Sequence, residues 1–196
     1  MKRLLPLVIS LSAIALSACV DTTGLSEDLT RPPHPSTDPN AVVQVAEFAD
    51  LQCPSCRSAH EQIVKPLIAK YGTKIRYDFM HFPLRTLHPF ALVAAEASEC
   101  AADQGKFWEF VDVDYANQGD LSKDAITEWG KSLGLNMDTF DRCVRSEIKR
   151  KAILAEYEQG KSVGVAGTPT FFVNGTKVES GLEDISAAID AALATP

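Results

Sequence analysis

The sequence predicts an α/β fold in which a block of helices interrupts the core. A short Val-rich segment, 41–48, has the composition of a buried strand and is followed at once by helix-forming sequence. Near the end, the strand pattern at 168–173, an Asn-Gly turn and a return strand form a hairpin. Between them, at about 86–162, Ala-rich and amphipathic stretches separated by Gly residues accommodate three or four helices. The order strand, helix, strand, helical block, hairpin, helix is that of an α/β core with a helical insertion.

The other elements of the core are bounded by Gly and Pro. A helix fits from the Cys-Pro-Ser-Cys motif through Tyr71, with a kink at Pro66 and a stop at Gly72. Residues 74–82 alternate between apolar and polar side chains, which predicts a second strand. A last helix is expected over 182–193.

Length and composition set the class of protein. A chain of 196 residues that is 45% apolar can form one ordinary globular core. The formal charge of −7 makes the surface a poor partner for nucleic acid, and no nucleic-acid binding is expected.

Residues 1–18 have the pattern of an export signal, with a basic start and an apolar run too short to span a bilayer. The segment 16–19 resembles the lipobox of bacterial lipoproteins, which implies cleavage before Cys19 and lipidation of its sulfur. The alternative is an ordinary secretory signal with a chance Cys. Two acyl chains would anchor the protein stably, facing the periplasm or the exterior. Val20 stands where an inner-membrane lipoprotein of this class has Asp, so we expect the outer membrane in a cell with two membranes.

A tether is expected between the lipid and the domain. Residues 21–40 are rich in Thr, Ser, Asp and Pro and have no apolar periodicity, so they lack the apolar surface that would order them. We therefore predict a flexible linker over 19–40 and a folded domain over 41–196.

The Cys residues point to redox chemistry. Lipidation of Cys19 would leave four Cys in an exported chain, and an oxidising compartment permits two disulfides among them. These are Cys53, Cys56, Cys100 and Cys143.

Cys53 and Cys56 lie where the first strand turns into a helix. The positive end of the helix dipole and the free backbone N–H groups there favour a thiolate at Cys53, which is the attacking species in disulfide exchange. Cys56 lies one turn deeper and can displace a group bound to Cys53. A zinc site shares this spacing, but no second ligand pair accompanies it, and no metal is expected. An inert structural disulfide is a further alternative.

Three separated motifs resemble the DsbA-like family of the thioredoxin superfamily. They are 48–57, 104–110 and 167–175. The resemblance covers 42–193 and implies a thioredoxin fold with an inserted helical subdomain. It also implies a thiol–disulfide oxidoreductase with Cys53 as nucleophile and Cys56 as resolving residue, which requires no bound cofactor.

The resemblance assigns further site residues. It implies that the Thr168–Pro169 bond is cis and exposes the Thr168 backbone to a substrate strand, whereas an ordinary trans turn is the alternative. Glu47 stands where the family has a buried acid that can accept the Cys56 proton, and a solvated strand residue is equally compatible with the pattern. Asp50 is expected to be a solvated strand end.

For Cys100 and Cys143 the resemblance implies a structural disulfide, and two buried free thiols are the alternative. No role is assigned to His60, His81 or His88.

The expected function is that of a disulfide-forming oxidant. Reduced exported proteins would be its substrates, a membrane quinone-linked oxidase its regenerating partner, and the membrane would be contacted through the lipid on Cys19. The alternatives are a disulfide reductase or isomerase of the cell envelope and a lipid-anchored surface module that binds partners without catalysis.

Overall fold

Four strands form one mixed sheet in the computed structural model, which describes residues 20–195. The strands are β1 (Val43–Ala49), β2 (Ile75–His81), β3 (Thr170–Val173) and β4 (Thr176–Val178). They lie in the order β2, β1, β3, β4, with β1 parallel to β2 and β3 antiparallel to β1 and β4. The sheet and its order belong to the thioredoxin type of α/β fold.

Strand composition explains the burial of the sheet. In β2 the side chains of Ile75, Tyr77 and Phe79 are buried and alternate with half-buried polar residues, which is the pattern of a strand with one fully covered face. The turn between β3 and β4 is formed by Asn174 and Gly175, both with positive φ, as a two-residue hairpin requires.

The helix after β1 has three parts. It begins as α1 (Pro54–Ala59), passes through a π-helical segment (His60–Val64) and continues as α2 (Lys65–Tyr71). Pro66, where the sequence predicts a kink, has no backbone N–H to donate and follows the π-helical segment in the first turn of α2. The helix ends at Gly72, as expected.

Five helices lie between β2 and β3, where three or four were predicted. They are α3 (Ala91–Ala102), α4 (Phe107–Ala116), α5 (Lys123–Ser132), α6 (Met137–Ser146) and α7 (Arg150–Ser162). The break between α6 and α7 is at Glu147, which has a left-handed backbone (φ 55°) that its residue type does not signal. The chain closes with α8 (Leu182–Leu193).

Helix α7 approaches the sheet closely at Gly160. A Cβ atom there would come within 2.9 Å of the Phe48 ring and 2.8 Å of the Phe82 ring. The absence of a side chain therefore lets this helix pack closely on the sheet.

Residues 20–40 do not form the predicted extended tether. Arg31 is 8% exposed and forms ion pairs with Glu99, at 2.5 Å, and with Glu156. The indole nitrogen of Trp108 donates to a backbone carbonyl of the same segment at 3.2 Å. Composition misled the prediction because long-range polar contacts, together with the packing of Leu25 against the core, hold this segment on the domain.

A second contact holds the start of the segment. Arg142 donates from Nη1 to the carbonyl oxygens of Asp21 and Thr23, at 3.1 and 3.2 Å. The predicted signal at 1–18 and the predicted lipidation site at Cys19 lie outside the described residues. No helix within 20–195 combines the length and the apolar character needed to cross a membrane.

Candidate active site

The Cys pair lies where β1 gives way to α1. Cys53 is the N-cap residue of the helix, with extended backbone angles, and Pro54 is its first helical residue. Cys53 is 6% exposed and Cys56 is fully buried, and both are free thiols. The Sγ atom of Cys53 lies 3.5 Å from the carbonyl oxygen of Thr168.

This position favours the thiolate form of Cys53. The pKa of Cys53 is lowered to about 5, chiefly by a hydrogen bond from the Cys56 thiol and also by the Thr168 hydroxyl and the backbone N–H groups of Cys56 and Ser55, against the opposing effect of burial. At neutral pH the sulfur is therefore an ionised nucleophile.

Cys56 has the opposite electrostatic setting. Burial raises its pKa well above the ordinary value, and the neighbouring Cys53 and Glu47 add to the shift. The Cys56 thiol is therefore protonated at neutral pH, and it must lose its proton before its sulfur can attack.

Glu47 is buried beneath the pair. Its side chain belongs to β1, is 2% exposed and accepts a hydrogen bond from the Tyr77 hydroxyl at 2.5 Å. Burial raises the pKa of Glu47 to about 7. Of the two environments that the sequence allowed, the structure has the buried one, and a carboxyl group with this pKa can exchange a proton near neutral pH.

The loop before β3 completes the site. The Thr168–Pro169 bond is cis, and the Thr168 carbonyl faces Cys53. A shallow groove of about 330 Å³ runs beside it, lined by uncharged residues that include Ser55, Gln62 and Pro169.

The other two Cys residues of the described chain lie away from the site. Cys100 on α3 and Cys143 on α6 form a disulfide, with an S–S distance of 2.02 Å and a Cα–Cα distance of 5.9 Å. This is the pairing that the family resemblance implied, and it ties together two helices of the insertion.

Asp50 is not the solvated strand end that the sequence suggested. It is 2% exposed, and its carboxylate accepts the backbone N–H groups of Gln52 and Leu84, each at 2.7 Å. His88 Nδ1 lies 2.8 Å from the same carboxylate. Because two of these partners come from the loop after β2, nothing near Asp50 in the sequence signalled its burial.

Gln118 was also missed. Its amide donates to the carbonyl oxygens of Leu51 and Cys53, at 2.7 and 3.0 Å, and so holds the loop that carries the nucleophile. Tyr77 could have been found, because the alternation in β2 places it on the same covered face as Ile75 and Phe79. Within the described range, no three His, Cys, Asp or Glu side chains are arranged to hold a metal ion.

Comparison with known proteins adds a family and a fold. The family model described as Thioredoxin matches residues 34–191. The chain resembles the solved structure of oxidised BdbD from Bacillus subtilis, with a TM-score of 0.72, 19% identity and coverage of 86% of this chain and 99% of that one. It also resembles α-DsbA1 from Wolbachia pipientis, with a TM-score of 0.70, 22% identity and coverage of 83% and 93%.

Curated relatives are longer proteins. The chain is 38% identical over 181 residues to a protein named Na(+)/H(+) antiporter NhaA 1 from Salinispora arenicola, covering 87% of this chain and 28% of that protein. A second relative, NhaA 3 from Salinispora tropica, is 37% identical over 175 residues and is covered over 26% of its length. The chain thus spans about a quarter of the length of these relatives.

Proposed function

The chain belongs to the thioredoxin family, and we propose that this thiol–disulfide oxidoreductase acts as a disulfide-forming oxidant of exported proteins. Cys53 and Cys56 are its working pair. The exchange needs no bound cofactor, because the electrons move between sulfur atoms.

The reaction starts from the Cys53–Cys56 disulfide. A substrate thiolate attacks the Cys53 sulfur, the bond to Cys56 breaks, and Cys56 leaves and takes up a proton. A second substrate thiolate then attacks the substrate sulfur of this mixed disulfide. A substrate disulfide forms, Cys53 leaves as a thiolate, and two electrons have passed from the substrate to the pair.

The lowered pKa of Cys53 is the observation that supports oxidation of the substrate by the protein as the direction of the reaction. A stabilised thiolate lowers the free energy of the reduced protein but has no counterpart in the disulfide form. The Cys53–Cys56 disulfide therefore gains electrons more readily than an ordinary disulfide does. The groove lined by Ser55, Gln62 and Pro169 supports a peptide substrate, since such a segment would pass the Thr168 carbonyl on its way to Cys53.

We place the protein in the cell envelope, anchored by a lipid on Cys19. The lipobox-like segment 16–19 supports this location, and Val20 favours the outer membrane where two membranes exist. A membrane quinone-linked oxidase would regenerate the disulfide. Metabolic labelling with a tagged fatty acid tests the anchor, because Cys19→Ser should abolish the label.

The decisive experiment is the reduction potential of the Cys53–Cys56 pair. A potential towards the oxidising end of the family, about −120 mV, supports the oxidant, whereas one near about −270 mV contradicts it. Oxidised protein should also form disulfides in reduced ribonuclease, and Cys53→Ser should not.

Two rival functions give different results in companion assays. A reductase would accelerate the reduction of insulin, and an isomerase would restore activity to scrambled ribonuclease. A non-catalytic surface module would have a Cys53 of ordinary pKa and would turn over no dithiol substrate.

A further inference from the structure

Glu47 and Tyr115 are buried polar side chains close to Cys56. Glu47 Oε1 and the Tyr115 hydroxyl are both buried, and neither has a hydrogen-bond partner among residues 20–195. The ring of Tyr115 packs against the ring of His60, with a centroid distance of 5.1 Å. Tyr115 is therefore in contact with His60 and close to Glu47.

His60 connects this interior to solvent. It lies four residues after Cys56, and therefore on the same side of the helix. Its side chain is 6% exposed, and its Nε2 lies 2.7 Å from Oδ1 of Asp112, a carboxylate that is 56% exposed. Asp112 and Tyr115 are three residues apart on α4, so the same helix surface holds both partners of His60.

The chemistry of the site requires a proton path. Glu47 is 2% exposed, and its contact with Tyr77 leads further into the core. A carboxyl group that takes a proton from Cys56 in one turnover must release it before the next. Several titratable groups from the surrounding elements face this region. They are Tyr77 from β2, Cys53 and Cys56 from α1, Lys65 from α2, Asp112, Asp114 and Tyr115 from α4, and His34 from the segment 20–40.

We propose that the His60–Asp112 pair carries protons between Glu47 and solvent during the step in which Cys56 acts. This inference rests on the proposed function of the same site. His60 and Asp112 act through Glu47, so they are positioning residues for the reaction.

The proton moves outward when a mixed disulfide is resolved and inward when a substrate is oxidised. When reduced protein resolves a mixed disulfide, Cys56 gives its proton to the Glu47 carboxylate, and its sulfur bonds to Cys53. The bond from Cys53 to the bound thiol breaks, and that thiol leaves as a thiolate. The proton on Glu47 then passes to solvent through His60, which accepts it on one ring nitrogen and releases it from the other. In substrate oxidation the proton runs inward to the leaving Cys56.

The steps of Cys53 and Cys56 can be measured separately by mixing the reduced protein with a small aromatic disulfide in a stopped-flow instrument. Each step releases one coloured thiolate. Attack by Cys53 releases the first thiolate and needs no proton transfer from Cys56. Attack by Cys56 releases the second thiolate and does need it. In Asp112→Asn we expect an unchanged first phase and a second phase slowed by about tenfold, with a changed pH profile.

Glu109→Gln is the matched control. Glu109 is a half-exposed acid on the same helix, paired with Lys106 and not with His60. It should leave both phases as in the wild type. His60→Ala should also slow the second phase, and added imidazole should restore it, which a purely structural role of the ring would not produce.

Distinct results would overturn each proposal. If the wild type releases both thiolates and Asp112→Asn leaves the second phase and its pH profile unchanged, the proton path is wrong and the oxidoreductase stands. Equal slowing of both phases would assign the pair a structural role. If the wild type releases no second thiolate, the proposed function itself fails. Asp112→Asn changes a largely exposed side chain, so it decides the matter even if a His60 variant does not fold.

Discussion

Cys53 Sγ lies 3.5 Å from the carbonyl oxygen of Thr168, although 115 positions separate the two residues in the sequence. The antiparallel register of β1 and β3 pairs Phe48 with Thr170 and thereby brings the end of one strand beside the start of the other. The nucleophile and the backbone group that a substrate must pass are therefore positioned by the sheet, and not by the helix alone.

The stability of the reduced protein should depend on pH in a way that the oxidised protein does not. The pKa of Cys53 is about 5 in the folded protein and about 9 as its ordinary value. A lowered pKa stabilises the folded reduced state fully above pH 9, and the contribution is lost as pH falls towards 5. Reduced protein should gain about 1 kcal/mol per pH unit over oxidised protein within this window.

Urea unfolding of both redox forms, buffered from pH 5 to pH 9, measures this difference. The oxidised protein is the matched control because its Cys53 does not titrate. Parallel pH profiles for the two forms would contradict a low pKa for this thiol.

Glu47→Gln should slow the step carried out by Cys56 and spare the step carried out by Cys53. The Glu47 carboxyl has a pKa of about 7, so its base form, which accepts the Cys56 proton, accumulates as pH rises through that value. In the stopped-flow assay the second phase should fall about 100-fold at pH 8 and lose its dependence on this titration. Glu61→Gln, at an exposed acid of the π-helical segment, is the control. An unchanged second phase would exclude Glu47 as the base.

Asp114→Asn should stabilise the protein at neutral pH. Asp114 is fully buried, and neither carboxylate oxygen has a hydrogen-bond partner among the residues that the structure describes. Burial raises its pKa well above the ordinary value of 3.8, and the charge of Asp50 adds to this shift. A raised pKa means that stability declines as pH rises above 3.8, because ionisation is easier in the unfolded chain.

The Asn variant has no carboxyl group to ionise in the core. We therefore expect its free energy of unfolding to be about 1–3 kcal/mol higher than that of the wild type at pH 8, with no difference in acid. Chemical denaturation at several pH values measures it, with Asp120→Asn as an exposed control on the adjoining turn. A variant that is less stable than the wild type at pH 8 would show that the carboxylate is satisfied.

Arg31→Met should destabilise the domain by about 3–5 kcal/mol. The substitution removes the Arg31 cation from Glu99 and Glu156 and leaves the fully buried Glu99 carboxylate with His81 as its remaining partner. Lys106→Met breaks a half-exposed pair with Glu109 and should cost less than about 1 kcal/mol. Equal losses in thermal unfolding experiments would mean that the segment 20–40 contributes little to the folded state.

Local patterns predicted much of the fold and the centre of the site. The alternation of Ile75, Tyr77 and Phe79 identified β2, and the Asn174-Gly175 pair identified the hairpin. The position of Cys53 at a helix start predicted the lowering of its pKa, although the hydrogen bond from Cys56 is the larger cause. Each of these depends on residues close together in the sequence.

Contacts between distant residues escaped prediction. Asp50 is buried because the Leu84 N–H and His88 reach its carboxylate across 34 and 38 positions, and Arg31 is held by acids 68 and 125 positions away. A polar side chain looks solvated until its partners are known, so composition assigned both residues to the surface. The left-handed backbone at Glu147, between two helices, was likewise not predicted, because its residue type does not signal it.

The attachment of residues 20–40 to the domain bears on what the enzyme can reach. Arg142 holds the backbone at Asp21 and Thr23, which are close in the sequence to the proposed lipid on Cys19. A domain attached to the membrane in this way would move little relative to the membrane surface. It would then meet substrate chains only as they pass close to that membrane.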